Sequence, residues 1–144
     1  MPRGYPDYFG HSIFPKYGSA QWKWGVEIVP SLSTVEIVKV TGKGVLTGGW
    51  VYLTEQVGHE ADDILLYVDG RSLVSGAWKL FFEYSFTSGC NYFFTVSRFN
   101  NIEGNFTGFF NKEYSFEQGL ILKYTASAVG DSIVHGALGY YNII

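Results

Sequence analysis

From Trp22 onward, turn residues cut the chain into short apolar runs, and this spacing constrains the fold more than any other feature. Residues 35–40 are rich in β-branched side chains and run into Gly42 and Gly44. Residues 46–54 follow, where Gly48-Gly49 predicts a bulge or the close approach of another backbone. Residues 64–68 then meet Asp69-Gly70, a pair that tolerates the positive φ angles of a type I′ turn and predicts a hairpin returning through 71–74. Further runs lie at 92–99, 106–110, 120–124 and 132–141, with Gln118-Gly119 and Gly130-Asp131 as breaks. Trp78, Leu80, Phe82, Tyr84 and Phe86 alternate with polar neighbours, interrupted by Phe81, and period two predicts a half-buried strand. No credible helix is found; the best candidate, residues 55–62, contains Gly58 and makes one or two turns at most. Eight to ten short strands predict an all-β chain, an antiparallel β-sandwich that is jelly-roll-like, over residues 22–144.

Residues 1–21 differ from this body. They hold three of the four prolines, which excludes helix and disfavours a central strand. Yet Tyr5, Tyr8, Phe9, Ile13, Phe14 and Tyr17 make the segment too apolar for a solvated tail. An extended N-terminal arm that docks on something satisfies both facts. The dock is either the protein's own body or a neighbouring subunit, by exchange of arms between protomers.

Composition adds a reason to expect assembly. Charged residues make up 16% of the chain, against roughly 25% in an average domain. Aromatic residues are abundant, at 12 Phe, 11 Tyr and 4 Trp in 144 residues. A small domain has too much surface for its volume to hide them all in one core. Some therefore belong on contact surfaces, where such rings are enriched. The runs 64–68 and 92–94 are apolar on both faces, so the arm or another subunit is expected to cover the outside of the sandwich. These features predict a homo-oligomer, a trimer or larger array.

Other partners are disfavoured. The net charge is −3 and no basic patch stands out, which leaves a nucleic-acid partner without electrostatic support. No apolar run approaches the ~20 residues of a membrane-spanning helix, and the opening lacks the apolar stretch of a signal peptide. Synthesis in cytoplasm is the expectation. Cys90 is the only cysteine, so no intrachain disulfide forms, and it reads as an inert small residue.

The sequence offers little catalytic chemistry. His11, His59 and His135 are scattered, and their spacing supports no metal site. Asp62, Asp63 and Asp69 are candidate oxygen ligands for a hard cation, but turn hydrogen bonds in a solvated loop explain them better. No catalytic residue, metal ligand or cofactor is assigned. Convergence of His59 or His135 with Asp62-Asp63 in a cleft would revive an enzymatic reading. A carbohydrate platform is the alternative to assembly, with Trp22, Trp24, Trp50 and Trp78 as stacking rings; Trp22 and Trp24 fall on one side of a strand.

The opening Met-Pro-Arg-Gly-Tyr-Pro-Asp-Tyr-Phe-Gly, the later Val-Thr-Gly-Lys-Gly-Val-Leu-Thr-Gly-Gly and Ala-Asp-Asp-Ile-Leu-Leu-Tyr-Val-Asp-Gly resemble small structural proteins of tailed bacteriophages. That resemblance, one of style over most of the chain, implies a virion component: a capsid decoration or a tail or fibre subunit, made in host cytoplasm. It implies contacts with itself and with other virion proteins. It brings no catalytic motif, so no functional residue is transferred.

Overall fold

The computed structural model describes residues 20–87 and 94–143. Nearly every predicted run is a strand: β1 Gln21–Val29, β2 Thr34–Thr41, β3 Gly44–Leu53, β4 Asp63–Val68 and β5 Arg71–Ala77. A helix α1, Trp78–Thr87, separates these from β6 Phe94–Asn100, β7 Asn105–Phe110, β8 Tyr114–Phe116, β9 Gly119–Thr125 and β10 Ser132–Asn142. One sheet has the order β1-β10-β3-β7-β6, with β8 also on β3; the other has the order β2-β9-β4-β5. Every strand pair is antiparallel, and the two sheets enclose the core of a sandwich.

Local chemistry explains several joints. Asp69 and Gly70 both take positive φ, 52° and 80°, as the hairpin between β4 and β5 requires. The Asp69 carboxylate also accepts the backbone N–H groups of Glu117, Gln118 and Gly119, clamping that hairpin to the start of β9. A register shift between β3 and β10 lies at Gly139/Tyr140, opposite Gly48, where the sequence predicts a bulge. Gly108 on β7 leaves room for the Phe94 ring, which a Cβ at that position would overlap.

The segment after β5 corrects the sequence reading. Residues 78–87 form α1, not a strand. Phe81, which broke the period-two pattern, belongs with Trp78 and Phe82 to an i, i+3, i+4 set on one helical face. Trp78 and Phe81 are buried, whereas Leu80 is exposed, the reverse of what a strand would give Phe81 and Leu80. Rings of Trp78 and Phe81 pack on Phe94, and Phe82 stacks on Phe99 at 4.4 Å. The helix thus closes the sandwich between edge strands β5 and β6. The sequence reading of no credible helix is thus corrected by α1, while residues 55–62, the best candidate there, hold only a single 3-10 turn, His59–Ala61.

Candidate self-association surface

The two sheets present unlike faces to solvent. On the smaller sheet, Glu36, Lys39 and Lys123 point outward, and the Lys123 ammonium lies over the Tyr67 ring at 5.1 Å. The Tyr67 ring of the 64–68 run thus lies under a long charged side chain of its own subunit. Residues 92 and 93 lie outside the described residues.

The larger sheet differs. Alternation along β1 puts Trp22, Trp24, Val26 and Ile28 on its outer side, all exposed, with Trp24 at 71%. Antiparallel pairing extends these positions across the sheet. Trp24 stands opposite Ala137, Ala137 opposite Trp50, and Trp50 opposite Phe109. The next row runs Val26, His135, Tyr52 and Thr107. Tyr52 stacks on His135 with centroids 4.5 Å apart and packs against Trp50 at 5.2 Å. Ile28 and Ile133 end the patch on one side. On the other, Trp22 lies across Gly139.

No Lys, Arg, Asp or Glu occupies an outward position of β1, β10, β3 or β7. The one titratable imidazole there, His135, has a buried Nδ1 without a hydrogen-bond partner, and burial pushes its pKa below the usual histidine value. Burial thus disfavours the charged imidazole, and the nearest formal charge on this side of the sheet is Arg98 of β6, exposed at the edge opposite Thr107. Four strands about 4.8 Å apart and six residues of rise make a face on the order of 400 Å². A patch of about this size is comparable to the largest on an ordinary monomer, and such patches are often functional.

Of the tryptophans predicted from sequence, the structure brings Trp22, Trp24 and Trp50 to this one face. Trp78 is 0% exposed and presents no ring to a ligand, because it fills the core beside Phe94 and Phe106. The arm residues Tyr5, Tyr8, Phe9, Ile13, Phe14 and Tyr17, like His11 and Cys90, lie outside the described residues. Sequence reasoning missed Tyr52, Phe109 and Ile133. Each sits in an alternating run, but nothing local says which of the two sheet faces is solvent-facing.

The acidic candidates have other work. Asp62 is fully buried, and its Oδ2 accepts from the Tyr124 hydroxyl at 2.8 Å and the Ser132 hydroxyl at 3.0 Å. The His59 Nδ1 lies 2.7 Å from the same oxygen, and Oδ1 accepts the Ser127 N–H at 2.8 Å. The Trp78 indole donates to the Tyr124 oxygen. Burial first, and the Asp62 charge second, push the Tyr124 phenol well above its usual pKa. His59 and Asp62 do converge, but inside the core, where a substrate has no access. Asp69 sits at the far end of β4 from Asp63, so the three carboxylates do not form one site. Among the described residues, no group of three His, Cys, Asp or Glu side chains is placed to hold a metal ion.

No family model matches the sequence, and no curated protein matches it. Among solved structures, the chain is similar to the VP2 subviral particle of infectious bursal disease virus, with 13% identity and a TM-score of 0.27. That match covers 89% of this chain and 42% of the other. The Gt strain of the same virus matches at 9% identity and TM-score 0.26, and its derived T=1 particles at 11% and 0.26. Both cover 89% of this chain and 41% of theirs. The chain thus spans about two fifths of these proteins, none of which is a tailed-phage protein. Likeness of this degree carries no functional argument, and the surface is read from its own residues.

Proposed function

We propose that the protein is a virion structural subunit, a capsid decoration or a tail or fibre component, that binds copies of itself. The observation carrying this reading is the aromatic outer face formed by β1, β10, β3 and β7, whose outward positions hold no Lys, Arg, Asp or Glu, with Arg98 of β6 at its edge opposite Thr107. Its area is about half of the ~800 Å² that each partner contributes to a standard interface. One such contact makes a weak pair, and repeated contacts in an array add up to a stable assembly. The carbohydrate reading fits the face less well. Sugar hydroxyls need directional polar partners beside a stacking ring, and the residues directly opposite Trp24 and Trp50 across the sheet are Ala137 and Phe109, which offer none.

The test is the mass of the purified protein in solution together with its appearance by electron microscopy. A mass several times the 16.1 kDa chain, with regularly repeating particles, is the expected result. A single species near 16.1 kDa across micromolar concentrations overturns the reading.

A further inference from the structure

The end of the sandwich where β1 stops carries a second surface. Loops 30–33, 54–62, 101–104 and 126–131 meet there and are tied side to side. Leu32 N donates to Ala126 O, Gln56 N to Gly104 O, and Gly58 N to the Asn101 side chain. Loop tips are ordinarily polar, yet each of these four presents a large aliphatic side chain to solvent: Leu32, Val57, Ile102 and Val129. Ile102 is 89% exposed and Leu32 74%.

Two further features set this end apart. Leu32 and Glu55 hold positive φ, 60° and 56°, and they are two of the three described non-glycine residues that do so. A left-handed backbone strains a leucine, and such strain collects where a side chain is held for a task. The loops also carry Glu55, Glu60, Glu103 and Asp131 without one Lys or Arg. Hydrogen bonds hold two of these acids in place, Asn100 to Glu103 and Ser31 N to Asp131. The surface is apolar, acidic and preorganised.

The sequence contains one segment of matching chemistry. Residues 1–19 are aromatic and carry Arg3 and Lys16 against the single carboxylate of Asp7. They enter the sandwich at Gln21, the opposite end of β1 from the loops. β1 is about 30 Å long, and the chain running back from Gln21 starts at the end remote from its own loops. The geometry points to a head-to-tail contact: residues 1–19 of one copy seat on the loop end of the next, aromatic rings on the aliphatic tips and cations on the acids. Nineteen residues reach roughly 65 Å at most, enough to span the joint. Unlike surfaces meet, so the contact is heterologous and builds a ring or a filament. This inference rests on the self-assembly reading.

The test uses the full chain. Ordinary and 15N-labelled copies are mixed in dilute solution, concentrated, and treated with a carbodiimide that joins amines to touching carboxylates. Mass spectrometry is expected to find Lys16 joined to Glu55, Glu60 or Glu103 in peptides of mixed isotope. Links confined to one isotope mean that each copy binds its own arm, and they overturn the contact. Leu32→Asn supplies a second readout, because Asn accepts a left-handed backbone and removes the aliphatic tip. Its melting temperature is expected to match or exceed the parent's, while association weakens at least tenfold. Lys16→Glu is expected to weaken association similarly at low salt, with recovery on mixing with Glu103→Lys copies. If Leu32→Asn and Lys16→Glu assemble like the parent while Trp24→Glu does not, this contact is wrong and the self-assembly reading stands. A parent that stays monomeric overturns both.

Discussion

Asp62 and Asp69 show how differently two carboxylates in one strand's vicinity are used. Asp62 is an acceptor for three side chains and one backbone N–H inside the core. Removing it leaves those groups buried and unpaired, so Asp62→Ala is expected to cost about 3–5 kcal/mol. A thermal melt is expected to fall by roughly 10 °C or more. Asp69 is a clamp at the surface. Its backbone donors at Glu117 and Gln118 hold its carboxyl below the usual carboxylate range. A carboxyl whose folded pKa is depressed gives stability that is present above its unfolded pKa, near 3.9, and lost as pH falls through the folded value. The parent's melting temperature is therefore expected to fall on acidification below about pH 4. Asp69→Asn, which tolerates the same turn, is expected to flatten that slope; an unchanged slope would show the clamp to be inert. The Asp69-Gly70 turn is legible in the sequence because it depends on two adjacent residues. The role of Asp62 is not, because its partners sit at 59, 124, 127 and 132 and only the folded sheets bring them together.

At the scale of elements, most strands are legible because alternation and turn residues are local signals. The helix α1 is not. The composition of 78–82 satisfies a period of two and a period of 3.6 at once, and the two readings bury different side chains. A strand buries Leu80 with Trp78 and Phe82, whereas the helix buries Phe81 and exposes Leu80. Tertiary context decides: β5 is an edge, and turning into a helix places Trp78 among Phe94 and Phe106. Phe81→Ala is accordingly expected to cost about 3 kcal/mol, and Leu80→Ala less than about 0.5 kcal/mol. Chemical denaturation of the two variants checks this, and equal losses would contradict the helical packing.

Over the whole molecule, the excess of aromatic rings is legible as a call for contact surface, but its location is not. The sequence nominates the run 64–68, whose Tyr67 ring lies beneath Lys123, while the exposed rings gather on β1 and its neighbours. Which face stays wet depends on strand order, and the order β1-β10-β3-β7 joins segments more than a hundred residues apart. Self-assembly through the larger sheet rests on that face. Sedimentation velocity of the parent and of Trp24→Glu, over a range of concentrations, tests it most directly. Trp24 is 71% exposed, so the substitution leaves the core intact and the melting temperature close to the parent's. The expected result is an assembled parent and a folded variant whose association is weakened at least tenfold, with only the head-to-tail contact left to it; a variant that assembles as the parent does would contradict the role of this face.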